Sequence, residues 1–290
     1  MDQPVSRPTQ LRNRMLPPLC AFFITLSFIC FELNFLRIVT AVRMAFGLTS
    51  SFFFSAAILG LGVGSMVVVL NKERIRLSVV LPLIPLCMAF SYVAVYLLLK
   101  NDILLYQIGT WQHFLSYSFL FMPLISTPFI LAGLAIAKLF TLASESRGLL
   151  LATWGGDLIG SAFGGLIPIL FLGILSPLQI SLIPLIFGLA LALFVIRFTA
   201  RHMAFLVTCC LLLAGLTGYY ISVWDDFNTG FINPIFMLGQ SKGSERANLA
   251  GWSPYHRINY RPDGANIHLY YNSAPITYVL KYDENPKAIE

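Results

Sequence analysis

Two acidic residues that stand inside apolar sequence, Glu32 and Asp157, are the positions of this chain whose type could support chemistry. A charged side chain among hydrocarbon is costly unless it is paired or hydrated, and it usually faces the interior of a helical bundle. The functional interpretation is a site that handles a proton or a cation. The structural interpretation is a polar contact between helices, with Glu32 neutralised near its helix end by Arg37 or Arg43. The sequence leaves both interpretations open for Glu32, Arg37 and Asp157.

Other reactive side chains show no spacing that indicates catalysis or metal binding. The cysteines all fall in apolar blocks, where they behave as small buried residues, and the histidines are scattered without a nucleophile or ligand partner. We therefore assign no catalytic, cofactor-binding or metal-binding residue, and we expect no cofactor in this chain. The residues considered are Cys20, Cys30, Cys87, Cys209, Cys210, His113, His202, His256 and His268.

Glycines recur at close spacing in two of the apolar blocks. Gly156, Gly160 and Gly164 follow one another every four residues, which places them on one smooth helix stripe suited to close helix approach. A second set consists of Gly60, Gly62 and Gly64. The second set superficially resembles a dinucleotide-binding loop, but no strand precedes it and it sits within an apolar block. Helix packing is the interpretation for all six glycines.

The elements that must position these residues are membrane-spanning helices. Hydrophobic residues make up 57% of the chain and charged residues 11%, and the mean hydropathy is +0.77. The apolar residues come in blocks of about 20, the length a helix needs to cross the bilayer. Every backbone polar group in hydrocarbon must be paired internally, which favours helices. We predict about seven spans, over residues 17–39, 46–70, 77–99, 114–142, 149–175, 178–198 and 203–223.

Basic residues orient the predicted bundle. The N-terminal arm, the loop after the second span, the region between the fourth and fifth spans and the loop before the seventh all carry Lys or Arg, and all lie on one side if seven spans cross. The bias predicts a cytoplasmic N-terminus. The formal net charge of +6 is thereby explained without nucleic acid, since there is no continuous basic patch. The partner we expect is the lipid bilayer.

The last part of the chain differs in composition. From about residue 224 the sequence becomes polar and rich in turn residues, and short runs at 257–260, 266–271 and 276–282 flank the turn Arg261-Pro262-Asp263-Gly264. Such runs predict a hairpin and one further strand. The expected organisation is a basic cytoplasmic arm at 1–16, an all-α polytopic membrane bundle at 17–223 and a short β-rich segment at 224–290. Seven spans with a cytoplasmic N-terminus place the tail on the other side of the membrane. An eighth crossing near 101–113 or an inverted orientation would return the tail to the cytoplasm, and the third alternative is a domain after the tail that is not cytoplasmic.

Several short motifs, in their order, resemble a known family. They read ELNFLR at 32–37, FG at 46–47, LGLGVGS at 59–65, PFILAG at 128–133, GGDLIGSAFGG at 155–165 and SPYHRI at 253–258. In this order they are similar to the membrane domain that precedes the catalytic domain of bacterial spermidine synthase-like proteins, which are polyamine aminopropyltransferase-like. The resemblance implies a soluble transferase domain or subunit that uses S-adenosylmethionine or its decarboxylated form.

The tail departs from that family. The stretch YNSAPI at 271–276 lacks the Gly and Gln of the family's corresponding element, and Asp283-Glu284 lacks the Tyr-His-Glu that follows it there. We therefore expect a membrane module that is not catalytic by itself, with the catalytic domain missing, in a bacterial cell membrane. The alternative is a transporter or channel-like protein for a small cation such as a polyamine. Whether the complete protein is an enzyme stays open at this point.

Overall fold

The structure is a computed structural model, and it describes residues 7–42, 46–71, 74–100, 111–171, 174–196, 203–223, 248–252, 257–263, 266–271 and 274–280. Eight helices and four strands follow one another along the described chain. The helices are α1 (Arg7–Val42), α2 (Phe46–Leu70), α3 (Leu77–Lys100), α4 (Trp111–Ala143), α5 (Arg147–Phe171), α6 (Pro177–Ile180), α7 (Leu182–Ile196) and α8 (Met203–Ser222).

Seven stretches of these helices are long and apolar enough to cross a membrane. They are Leu16–Ile38, Phe53–Leu70, Leu77–Leu97, Met122–Ala143, Arg147–Phe171, Pro177–Phe194 and Ala204–Ser222. Each coincides with one of the blocks predicted from the sequence, because an apolar run of this length pairs all its backbone groups only as a helix. The predicted helical membrane bundle of seven spans is thus confirmed.

Two details differ from the sequence-based expectation. Helix α1 begins at Arg7, so helical structure extends into the segment expected to be an arm. The sixth span comprises α6 and α7 with Ser181 between them, where the backbone keeps helical angles and the Ser181 amide donates to the Pro177 carbonyl oxygen at 3.0 Å. Hydropathy reports only the apolar character of such a block, and that character is the same on both sides of Ser181.

A cluster of aromatic side chains is buried between the first four helices. The Phe31 ring centroid lies 5.1 Å from that of Phe35 and 5.3 Å from that of Tyr92. On the other side, Phe53 of α2 lies 5.6 Å from Phe35 and 5.8 Å from Phe129 of α4. Edge-to-face and offset pairs at these distances stabilise the contact beyond simple burial. The cluster fixes the first four helices against one another.

Glycine contacts define the direction of the helices. Gly156, Gly160 and Gly164 of α5 approach the backbone of α1 at Pro18, Phe22 and Leu26 in that order, so α1 and α5 run parallel. By the same criterion α2 and α4 run parallel, because Gly60 approaches Ser126 and Gly64 approaches Ile130. The members of each pair are an even number of spans apart, and such spans must run parallel in a chain that crosses the membrane at every span.

The same contacts fix the side on which the chain leaves the bundle. The late residue Phe35 of α1 contacts Phe53 near the start of α2 and Tyr92 late in α3, and Tyr92 stacks on Tyr220 late in α8 at 5.2 Å. Therefore α1, α3 and α8 all end on one side, opposite the N-terminus.

Helix α4 starts on that side too, because it runs parallel to α2. The ends of the helices that flank 101–110 thus lie on the same side, and the eighth crossing considered there finds no support; residues 101–110 themselves are outside the described part.

Beyond α8 the described backbone forms one antiparallel sheet. Its strands are β1 (Asn248–Trp252), β2 (Arg257–Asp263), β3 (Asn266–Tyr271) and β4 (Ala274–Leu280), in the order β1-β2-β3-β4. In the β2–β3 hairpin Asp263 pairs with Asn266 next to the turn. Most of 224–290 lies outside the described residues, so a β-rich tail as a whole stays a prediction.

Candidate functional site

Asp157 meets Thr25 at the contact between α5 and α1. Thr25 Oγ1 lies 2.5 Å from Asp157 Oδ1 and 2.8 Å from the carbonyl oxygen of Ala21. Thr25 is buried and Asp157 is partly buried. The glycines at 156 and 160 bring the two helices close enough for a short side chain on each to touch.

The Thr25 hydroxyl has two acceptors within reach. A threonine hydroxyl has one hydrogen to donate, and both Asp157 Oδ1 and the Ala21 carbonyl oxygen lie within hydrogen-bond distance of it. The two acceptors therefore compete for that hydrogen. The geometry fits an ion site as well as a purely structural contact between helices.

Glu32 and Arg37 lie elsewhere on α1. Both are partly buried. They are five positions apart, so they project roughly 140° from one another around the helix axis and do not form a facing pair of the i, i+4 kind. Glu32 also lies about 10 Å further along the axis than Thr25, at 1.5 Å per residue. The structure therefore does not bring the two acidic candidates together.

Five of the six candidate glycines contact a neighbouring helix backbone. A Cβ atom at Gly164 would lie 2.7 Å from the Leu26 carbonyl oxygen, and one at Gly60 would lie 2.7 Å from that of Ser126. Gly64, Gly156 and Gly160 approach Ile130, Pro18 and Phe22 even more closely. Gly62 differs, because no described atom lies within 4 Å of its added Cβ. Gly133 of α4, which the sequence analysis did not single out, completes the α2 contact opposite Leu61.

A buried polar cluster lies at the end of the bundle where α1, α3 and α8 finish. Asn34 Nδ2 donates to the Pro177 carbonyl oxygen at 2.7 Å. Asn34 lies near Tyr92, and Ser181 near Tyr220. We call Asn34, Tyr92, Ser181 and Tyr220 the Asn34 cluster; each is at most 2% exposed. Within the described part of the chain, Asn34 Oδ1 and Tyr92 Oη have no hydrogen-bond partner.

Sequence reasoning missed this cluster because none of its members is charged. The signal that could have found it is Ser-Pro at 176–177, which starts a helix inside an apolar block. Ser176 caps α6: its hydroxyl accepts from the Gln179 amide at 3.3 Å, and the Ser176 amide donates to Gln179 Oε1 at 2.9 Å. The Pro177 carbonyl oxygen then accepts two hydrogen bonds, one from the Ser181 amide at 3.0 Å and one from Asn34 Nδ2.

The described residues contain no group of three His, Cys, Asp or Glu side chains that could hold a metal ion. Cys20, Cys30 and Cys209 are buried and, like Cys87 and Cys210, free thiols. The polar groups of the described spans include neutral hydrogen-bonding side chains, the carboxyl groups of Glu32 and Asp157 and the guanidinium group of Arg37.

The fold and these contacts fit one class of protein, a multi-pass integral membrane protein with seven apolar helices. Comparison with known proteins adds no narrower class, as neither a family model, nor a curated protein, nor a solved structure matches this chain.

Proposed function

We propose that this chain is the membrane module of a spermidine synthase-like protein of the bacterial cell membrane, without transferase chemistry of its own. The supporting observation is the position of the resembling motifs in the fold. Motif 155–165 lies on α5 where α5 packs on α1, and motifs 59–65 and 128–133 lie where α2 packs on α4. These motifs assemble the bundle, which is the role that an anchor for a separate catalytic unit requires.

In this proposal the tail joins the bundle to a soluble transferase domain or subunit, and residues 224–290 form a β-rich junction. The direction of α8 sets a condition on that partner. With a cytoplasmic N-terminus, as the basic residues favour, the tail leaves on the far side of the membrane. Alkaline phosphatase fused after Glu290 should then be active, whereas a green fluorescent protein fused there should be dark. If the green fluorescent protein is bright instead, the tail and the transferase lie in the cytoplasm, where S-adenosylmethionine is made.

Purification of the tagged full chain from its own cells tests the module itself. We expect a soluble transferase to co-purify in mild detergent, and the complex to transfer the aminopropyl group of decarboxylated S-adenosylmethionine to putrescine. A chain that ends at Val223 is the matched control, since it keeps α1–α8 and loses the tail. Transfer by the isolated chain, or the same recovery of transferase with the control, would contradict the proposal.

A transporter of a small cation such as a polyamine is the second candidate, and the Thr25–Asp157 contact favours it. A carboxyl group held between two spans is typical of ion and proton pathways. Purified chain in liposomes should take up labelled putrescine, and Asp157→Asn should abolish uptake. Glu145→Gln is the control, because Glu145 is an exposed acidic residue just before α5. Uptake unchanged by Asp157→Asn would remove Asp157 from the pathway.

A further inference from the structure

Helices α2 and α5 make the same contacts at positions a hundred residues apart. Gly60 and Gly160 each receive a carbonyl oxygen of a parallel neighbour, and so do Gly64 and Gly164. The residues that these glycines contact also keep one constant separation along the chain. Gly160 meets Phe22 and Gly60 meets Ser126, while Gly164 meets Leu26 and Gly64 meets Ile130. Helix α1 therefore stands to α5 as α4 stands to α2.

The turns that follow these helices repeat at the same interval. The Arg74 amide donates to the Asn71 carbonyl oxygen at 3.0 Å, and the Ile174 amide donates to that of Phe171 at 2.9 Å. Next, the Val80 amide donates to the Arg76 carbonyl oxygen at 3.2 Å, and the Ile180 amide to that of Ser176 at 2.9 Å. Both turns lead into a helix, at Leu77 in one case and at Pro177 in the other.

The third helices correspond too. The sequence Leu-Ile-Pro-Leu occurs at 83–86 in α3 and again at 182–185 in α7. These helices pack on each other, and a Cβ added at Gly188 of α7 would lie 3.1 Å from Pro85 Cβ of α3. Two equivalent helices contact each other when both lie next to the two-fold axis that relates the units, and α3 and α7 do so.

We propose that α1–α3 and α4–α7 are two inverted copies of one three-span unit, and that this chain has the architecture of a solute transporter. Three crossings per unit make the second copy start on the opposite side, so the relating axis lies in the membrane plane. Inverted repeats of this kind build many secondary transporters, with the solute site near the interface of the repeats. Helix α8 has no counterpart in the repeat. The inference deepens the second candidate function above.

Loop accessibility and paired substitutions test the repeat. In the full chain, with its five cysteines replaced by serine or alanine, a cysteine at Arg74 and one at Ile174 should react with a membrane-impermeant maleimide from opposite sides. Gly64→Leu and Gly164→Leu should each lower the Tm by similar amounts. Gly62→Leu and Gly165→Leu are the controls, since no described atom lies near an added Cβ at either position. Labelling from one side, or sensitivity of only one of the paired glycines, overturns the repeat whether or not the chain transports putrescine.

Discussion

Thr25 Oγ1 and Asp157 Oδ1 are 2.5 Å apart although the two residues are 132 positions apart in the chain. This bond is the one described side-chain hydrogen bond between α1 and α5, and it lies between the glycine contacts at Phe22 and Leu26. A polar pair at this depth is held by packing, since three glycines set the distance between the helices.

The energy of this pair should be measurable by a double-mutant cycle. Thr25→Val and Asp157→Leu each remove one partner, and each should lower the free energy of unfolding by about 1 kcal/mol, the usual net value of a buried hydrogen bond. The double variant should lose less than the sum, because the second change no longer breaks a bond. Unfolding in mixed micelles provides the four values; strict additivity would show that the two side chains do not stabilise each other.

Packing at Gly160 should be intolerant of a larger side chain. A Cβ there meets the backbone of Phe22, which cannot rotate away, so Gly160→Val should destabilise by about 1–3 kcal/mol, the usual effect of overpacking. Gly155→Val is the matched variant on the same helix, because no described atom approaches an added Cβ there. Equal losses of Tm in both variants would mean that the effect comes from the helix itself and not from α1.

Tyr92→Phe should leave the protein as stable as before, or more stable by up to about 1 kcal/mol. The phenol oxygen that it removes has no described partner, so a desolvation cost disappears and no bond is lost. Tyr92→Leu should instead cost roughly 3 kcal/mol or more, since it empties space among Phe31, Phe35 and Tyr220. Chemical unfolding distinguishes the two; a destabilised Phe variant would reveal a hydrogen bond to Tyr92 Oη.

The cap of α6 should contribute to the order at the start of the sixth span. Ser176→Ala removes the hydroxyl that accepts the Gln179 amide hydrogen, and loss of an N-cap typically costs about 1 kcal/mol. Ser176→Asp should retain the stability, as Asp is an equally good N-cap. Hydrogen exchange of the 178–181 amides is the measurement. Unchanged exchange in Ser176→Ala would show that Asn34, which binds the Pro177 carbonyl oxygen, holds this end alone.

Spans were predictable because they depend on length and composition alone. Each of the seven apolar blocks became a helix, and the spacing of Gly156, Gly160 and Gly164 correctly identified a close helix contact. The identity of the partner helix was not predictable, since hydropathy carries no information on which spans meet. Gly62 was predicted to pack and does not. It belongs to the same motif as Gly60 and Gly64, but the helical turn points it away from α4.

The Asn34 cluster was unpredictable for a different reason. Asparagine, serine and tyrosine are common in membrane helices, so only their meeting in space distinguishes these four. That meeting depends on how the spans pack on one another, which a hydropathy average does not detect. Glu32, in contrast, was a candidate because it is charged, and the structure places it, partly buried, near the end of a span.

The parallel pairs α1/α5 and α2/α4 have a consequence for the order of assembly in the cell. A nascent chain delivers its spans to the membrane one after another, yet α1 finds its closest neighbour only when the fifth span has arrived, and α2 must wait for the fourth. The two halves are interleaved and cannot be completed in turn. During synthesis, lipid or the insertion machinery must therefore cover the faces of α1 and α2 that later contact α5 and α4. The bundle then packs in one late event and not by stepwise addition of hairpins.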